Sequence, residues 1–176
     1  MNTTLFYGVV LALANIVLSL ISFFLGFQTE KLAQGQWFGL LNFVAAVVVF
    51  WLGIRAVREE AADKSLTYGK GVLTGFLIAL YSGLIGMVYT FIHFQFINPN
   101  FADYMIDFAR QKWVAKGMGD AQMAAAEKVL RFVYAPVPVS LVTLVIALFS
   151  GLIVALILAA FLKRASAGTP PPVAST

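Results

Sequence analysis

The chain has 176 residues, of which 61% are hydrophobic and only 11% are charged. Soluble globular domains contain about 45–50% apolar and about 25% charged residues, so the composition excludes an ordinary soluble protein. The 12 Lys and Arg residues exceed the 8 Asp and Glu residues, but they form no basic stripe with interleaved aromatic residues, which argues against nucleic-acid binding. The absence of Cys excludes disulfides, thiolate metal sites and cysteine nucleophiles.

All charged residues lie outside four apolar stretches, which are residues 1–29, 32–54, 71–102 and 132–162. A hydrocarbon core about 30 Å thick is crossed by roughly 20 apolar helical residues, and each stretch contains such a run. The runs do not alternate between apolar and polar residues, as strands of a membrane β-barrel do. The sequence therefore predicts an all-α polytopic membrane protein, a four-transmembrane-helix bundle. Its spans lie at about 5–27, 37–54, 71–97 and 139–162 in a single membrane domain at 1–164.

The first apolar run differs from a secretion signal. Residues 1–4 contain no basic residue, and the run is longer than the 7–15 apolar residues of a signal peptide. We therefore expect a retained first helix. A short link then leads to the second span at Trp37, an aromatic residue suited to the water interface.

Residues 55–70 contain four basic and three acidic residues and must lie in water. The third span follows and is expected to end at Asn98-Pro99-Asn100, because proline disfavours a helical residue before itself.

Residues 101–134 predict an amphipathic helical hairpin on the membrane surface, between the third and fourth spans. One face of its first helix is apolar and consists of Phe101, Tyr104, Met105, Phe108 and Trp113. Gly117 and Gly119 separate the two helices, and a break is expected at Ala135-Pro136-Val137-Pro138 before the fourth span. Residues 165–176 are Ser- and Pro-rich and predict a disordered tail.

Basic residues near the ends of the spans indicate the orientation. The two sides carry equal numbers of Lys and Arg, but those closest to span ends fall mostly on the side of both termini; they are Arg55, Arg58, Lys70, Lys163 and Arg164. The positive-inside rule then predicts that both the N- and the C-terminus are cytoplasmic.

Small and polar residues form candidate packing seams, because helix association in lipid depends on close approach and on polar contacts. The first span carries them at alternating steps of four and three: Gly8, Ala12, Asn15, Ser19, Ser22 and Gly26. The third span has Gly71, Gly75, Ala79 and Gly83 at steps of four, and the fourth has Thr143, Ala147, Gly151, Ala155 and Ala159. Self-association through such a seam remains open.

The spans contain no Asp, Glu, Lys or Arg, which argues against proton transfer or ion pumping at membrane depth. Asn15 and Asn42 are the deepest polar residues, and we expect them to form interhelical hydrogen bonds rather than to line a substrate site. His93 is the only histidine; an interfacial structural role is favoured over a metal site shared with Asp103 and Asp107. No catalytic residue, metal site or cofactor site is predicted, so the chain is not expected to be an enzyme.

Several short motifs resemble one family of membrane proteins. They are the segment Leu66-Thr67-Tyr68-Gly69-Lys70-Gly71-Val72-Leu73-Thr74-Gly75-Phe76, the break at Phe96 to Phe101, the turn at Gly117 to Gln122, and the last span closed by Lys163-Arg164. These motifs are similar to those of DUF4199, a family of unknown function from bacteria, mostly Bacteroidota. The resemblance covers about residues 7–164 and implies a four-helix inner-membrane protein, without supplying a catalytic residue, substrate or cofactor.

The sequence leaves two functions open. The first is a non-enzymatic membrane protein that acts through contacts in the lipid bilayer, as an accessory subunit or scaffold, with a homo-oligomer or a membrane complex as its partner. The alternative is a component of a small-solute or ion transporter or channel, for which the candidate lining consists of polar residues in the spans: Asn15, Ser19, Ser22, Asn42, Thr74, Ser82 and Thr90.

Overall fold

The computed structural model describes residues 2–165, so residues 166–176 of the predicted tail lie outside the described part. The described chain is all-helical, and its α-helices are α1 (Thr3–Phe24), α2 (Gln36–Glu59), α3 (Tyr68–Ile92), α4 (Phe101–Ala115), α5 (Asp120–Val133) and α6 (Pro136–Leu162). A π-helical turn, His93–Ile97, continues α3. Residues 2–165 contain no strand, and Leu66 and Arg164 form an isolated antiparallel bridge.

Residues 2–165 contain six α-helices. Four of them are long and apolar enough to cross a membrane: α1, α2, α6, and α3 with its π-helical turn. The other two, α4 and α5, occupy most of the segment for which the sequence predicted a hairpin.

The first span ends three residues before its predicted limit, because Gly26 terminates the helix. Gly26 has a φ of 81°, in the left-handed region that glycine adopts without steric cost. Its backbone N–H donates to the Phe23 carbonyl, and the Phe27 N–H donates to the Ser22 carbonyl. These two bonds form a Schellman motif, which satisfies the last carbonyls of α1.

The other three spans also differ from their predicted limits. Helix α2 continues to Glu59, because Val57 is buried in the core while Arg55 and Glu59 extend into solvent as an i,i+4 ion pair. Helix α3 begins at Tyr68, where the Thr67 hydroxyl accepts a hydrogen bond from the Lys70 N–H. Residues 136–138, predicted to break the chain, form the first turn of α6, where Pro136 loses no intrahelical hydrogen bond.

Helices α4 and α5 contact each other through ion pairs. Arg131 lies 2.8 Å from Asp103, and Arg110 bonds to Glu127. Gly117, with a φ of 69°, ends α4 with the same pair of hydrogen bonds that Gly26 makes after α1. The two helices are therefore joined both by a tight turn and by side-chain contacts.

Helices α3 and α6 pack closely in one antiparallel register. The small residues of the two helices meet at steps of four: Gly71 with Ala159, Gly75 with Ala155, Ala79 with Gly151, and Gly83 with Ala147. The Leu66–Arg164 bridge continues this register beyond the helix ends. Because a Cβ atom on Gly75 would overlap that of Ala155, the approach depends on glycine.

The apolar core occupies only one half of the four long helices. Its buried residues are Leu11, Val49, Phe50, Ile54, Val57, Leu66, Ile78, Ala79, Val154, Ala155, Leu158 and Leu162. Both ends of the described chain lie at this half, where Thr3 hydrogen-bonds to Glu60. We call it the termini half, and we call the opposite part, which adjoins α4 and α5, the cleft half.

Candidate functional site

A cleft of about 450 Å³ lies in the cleft half, between α1, α2, α3 and α6. Polar side chains on all four helices line it: Asn15, Ser19, Asn42, Ser82, Tyr89, Thr90, Thr143 and Ser150. None of its lining residues carries a charge. The volume falls within the range of about 300–1,000 Å³ that is usual for ligand sites.

The cleft opens between α2 and α6. Phe43 of α2 and Ile146 of α6 line it and are also 54% and 60% exposed, so they form its rim. Towards the termini half, Phe50 of α2 lies close to Gly151 of α6, and the buried core begins. The rim residues lie within helices that are long and apolar enough to span a membrane.

Some polar groups in the cleft are paired within their own helix. The hydroxyl groups of Thr143 and Ser150 donate to the carbonyls of Val139 and Ile146. The Asn42 amide donates to the Phe38 carbonyl over 2.9 Å. These bonds satisfy polar side chains of the long apolar helices without a partner from another helix.

Three other polar side chains are not paired. Ser82 is only 6% exposed and lines the cleft, yet within residues 2–165 nothing hydrogen-bonds to its hydroxyl. The same holds for the side chains of Asn15 and Thr90 among the described residues. Ser82 is buried, whereas Asn15 and Thr90 are half-buried, so the three side chains offer free hydrogen-bonding groups to a partner in the cleft.

A buried hydrogen-bond network adjoins the cleft at the end of α3. His93 is 1% exposed, and both of its ring nitrogens are paired: Nε2 lies 2.8 Å from Gln28 Oε1, and Nδ1 lies 3.0 Å from the Tyr89 hydroxyl. The Gln28 amide nitrogen donates to the Ser19 carbonyl and hydroxyl, at 2.8 and 3.1 Å. Ser19 and Tyr89 belong to both the network and the cleft lining.

The pairing determines the tautomer of His93. The Ser19 carbonyl only accepts hydrogen bonds, so the Gln28 atom facing it is the amide nitrogen and Oε1 faces His93. His93 Nε2 therefore carries a proton and donates to Gln28, while Nδ1 accepts from Tyr89. Neutral His93 thus forms a hydrogen bond with both Gln28 and Tyr89. Because Gln28 lies in the link between α1 and α2, these bonds hold that link against the end of α3.

The π-helical turn contributes to the same arrangement. The Asn98 N–H donates to the His93 carbonyl over 2.7 Å, closing the wide turn, and the Asn98 amide donates to the Gln28 carbonyl over 3.2 Å. Asn98 is itself buried. Phe23 packs edge-on against the His93 ring, so an apolar side chain shields the network.

The structure brings some of the residues selected from the sequence together and separates others. Asn15 and Asn42 line the same cleft, and neither forms an interhelical hydrogen bond within the described chain. His93 lies in the adjoining network, with Gln28 and Tyr89 rather than aspartates at its nitrogens.

The small residues selected for packing also fall into separate groups. Gly71, Gly75, Gly83, Gly151 and Ala155 lie in the α3–α6 interface. Gly8 lies against Tyr81, which joins α1 to α3. Ser19 serves the network, and Gly26 lies after the end of α1, where it stops the helix.

Five of the residues selected from the sequence as a possible transport lining do line the cleft: Asn15, Ser19, Asn42, Ser82 and Thr90. Gly86, Tyr89 and Gln28 were not selected. Ser82, Gly86 and Tyr89 follow one another along one face of α3 at steps of four and three residues, which is a signal that the sequence contains. Gln28 had no such signal, because it lies in a turn and reaches a histidine 65 positions later. Residues 2–165 contain no group of three or more His, Cys, Asp or Glu side chains that could bind a metal.

Comparison with known proteins identifies the family. The model of DUF4199, described as a protein of unknown function, matches residues 6–164. No curated protein and no solved structure matches the chain. Since the match covers most of the sequence and confirms the resemblance seen in its motifs, the chain belongs to the DUF4199 family.

Proposed function

We propose that this protein is a non-enzymatic, multi-pass membrane protein that acts through binding contacts inside the bilayer, as an accessory subunit or scaffold. The unpaired Ser82 hydroxyl in the cleft is the observation that carries this proposal. The glycines of the α3–α6 interface are already used within the chain and are not available to a partner. The cleft is therefore the contact site in this proposal.

Photo-crosslinking in bacterial membranes tests whether the cleft is occupied. A photoreactive phenylalanine analogue replaces Phe43 on the rim, and the matched control carries it at Phe149, which is 69% exposed on α6 and does not line the cleft. We expect a discrete product from position 43 that is absent from position 149. Gly86→Leu, which fills the cleft, should remove the product, because a side chain at Gly86 enters open space. Equal products at both positions would contradict the proposal.

The membrane arrangement belongs to the same proposal. The four long helices form a bundle across the bacterial inner membrane, with both termini in the cytoplasm. Basic residues close to span ends lie mostly at the termini half and support this orientation; they are Arg55, Arg58, Lys70, Lys163 and Arg164. A reporter that functions only in the cytoplasm should be active when it is fused after Arg164. Activity restricted to a reporter that functions only on the opposite side would overturn the orientation.

Helices α4 and α5 form a hairpin at the membrane surface in this arrangement, on the side of the cleft half. Phe101, Met105 and Phe108 of α4 face the link between α1 and α2, across a cavity of about 350 Å³. Gly39 lines both this cavity and the cleft. These residues support a position of α4 over the end of the cleft.

A second candidate function is transport of a small solute or ion. The neutral polar lining of the cleft favours it, whereas the core of the termini half closes the cleft at Phe50 and Gly151. Transport would require α2 to move away from α6. A flux assay in liposomes that gives no signal above protein-free liposomes for ions or small uncharged solutes would remove this candidate.

A further inference from the structure

The chemistry of the cleft restricts what it can bind. A charged ligand would meet no opposite charge among the lining residues, and an unpaired charge at membrane depth is costly. A ligand made only of hydrocarbon would leave the Asn15 amide and the Ser82 hydroxyl without hydrogen-bond partners. The lining therefore suits an uncharged molecule that both donates and accepts hydrogen bonds.

The position of the opening restricts the source of that molecule. The rim residues Phe43 and Ile146 lie on membrane-depth parts of α2 and α6, so a ligand enters from the bilayer rather than from water. The apolar surface outside the rim includes Leu40, Val44, Val142 and Val145, all exposed. This surface suits hydrocarbon chains that stay in the bilayer while a polar head lies in the cleft.

The size of the cleft also agrees with a lipid head group. Its volume of about 450 Å³ greatly exceeds the ~30 Å³ share of one water molecule. Gly39 and Gly86 line it with open space where their side chains would be, which leaves room for ester carbonyls and a hydroxyl.

We propose that the cleft binds an uncharged glycerolipid of the diacylglycerol class. The hydroxyl and ester carbonyl groups of this lipid form hydrogen bonds with Ser82, Asn15 and Thr90. The acyl chains leave between α2 and α6. This inference rests on the proposed function, in which the cleft is the contact site, and it names the class of molecule that occupies it.

Photolabelling in phosphatidylcholine nanodiscs tests the proposal with two probes that share the same photoreactive acyl chains. One is a diacylglycerol and the other is a phosphatidylglycerol, which has a charged head. The diacylglycerol should label peptides containing residues 39–46 and 143–150 more strongly than the phosphatidylglycerol does. Ser82→Ala should reduce this labelling about two- to tenfold, as expected for the loss of one hydrogen bond.

Two leucine variants separate a filled cleft from a damaged fold. Gly86→Leu fills the cleft and should abolish the selective labelling. Gly69→Leu is the matched control, since Gly69 lies on the same helix, faces open space and does not line the cleft; its labelling should equal that of the natural chain. Both variants are first checked for a single symmetric peak in size-exclusion chromatography.

The outcomes distinguish this inference from the proposed function. Equal labelling of the cleft by both probes, or labelling that Ser82→Ala and Gly86→Leu leave unchanged, overturns the lipid assignment. A crosslink from position 43 to a protein, without selective diacylglycerol labelling, also overturns the lipid assignment. That result keeps the cleft as a contact site. Absence of both the adduct and the selective labelling contradicts both proposals.

Discussion

Gly75 and Gly151 in the termini half and Gly86 in the cleft half have opposite roles. Gly75 and Gly151 lie so close to Ala155 and Ala79 that an added Cβ atom would overlap those side chains. Gly86 meets nothing within 4 Å where its Cβ atom would be. A glycine in these helices therefore either allows close packing or leaves open space, depending on the neighbouring helix.

Polar residues differ between the halves in the same way. In the termini half, Thr74 is buried and donates its hydroxyl hydrogen to the Lys70 carbonyl within its own helix. In the cleft half, Ser82 on the same helix is also buried but has no hydrogen-bond partner within residues 2–165. The two hydroxyl groups on α3 thus differ in whether a group of the chain satisfies them, although the termini half also has an unpaired buried atom, Arg58 Nε.

Leucine at position 75 should have the largest effect. Gly75→Leu forces α3 and α6 apart, because Ala155 is fully buried and has no flexible atoms that could move aside. Overpacking of this kind typically costs about 1–3 kcal/mol and occasionally more, so we expect loss of most folded protein. The measurement is the fraction that remains monodisperse in detergent, compared with Gly86→Leu. Equal recovery of the two variants would mean that the halves do not differ in packing.

Removing the histidine should have the next largest effect. His93→Leu removes the partner of Gln28 Oε1 and that of the Tyr89 hydroxyl, which we expect to cost about 1–3 kcal/mol of stability. Gln28→Leu should cost a similar amount, and the double variant should lose less than the sum, because the two side chains share one bond. Thermal unfolding in detergent measures all three variants. Additive losses would show that the Gln28–His93 bond contributes nothing.

The helices and their approximate positions follow from hydrophobic length and charge segregation, but their ends depend on local backbone chemistry. Gly26 fits the four-three spacing of a packing seam, and the same residue stops α1 through a Schellman motif. Pro136 likewise suggests a break, whereas at the first position of α6 it costs no hydrogen bond. In both cases the residue type allows two roles, and the neighbouring backbone decides between them.

The site was harder to predict than the helices. The sequence showed small residues at steps of four on α3 and α6, but not that they would face each other, since that depends on the register between distant segments. Asn15 and Asn42 were recognised as unusual at membrane depth, yet their shared cleft depends on α2 standing away from α3 and α6 at Gly39. No local pattern encodes that separation.

A surface ion pair should matter much less than these buried contacts. Arg110→Ala removes the bond to Glu127 between α4 and α5, where Arg110 is largely exposed. Exposed pairs contribute about 0.2–1 kcal/mol and are weakened by salt, so the effect should be small and should decrease as ionic strength rises. Hydrogen exchange of residues 101–133 at low and high salt measures it, with Arg131→Ala as a comparison for the Asp103 pair. A large effect that salt does not change would indicate that the hairpin is buried from water.

The smallest effect is expected for alanine at Gly39, and it gives the sharpest comparison because α2 contains a matched glycine in the other half. A Cβ atom at Gly39 meets nothing within 4 Å, so Gly39→Ala should change stability by less than about 0.5 kcal/mol. A Cβ atom at Gly53 would lie 2.5 Å from Ile78 Cδ1 and 3.1 Å from Tyr7 Cβ, so Gly53→Ala should lower the unfolding temperature clearly. Both substitutions make the same chemical change in the same helix, so a difference between them measures packing alone. Equal unfolding temperatures would mean that α2 packs as tightly beside Gly39 as beside Gly53, and that the cleft is closed in solution.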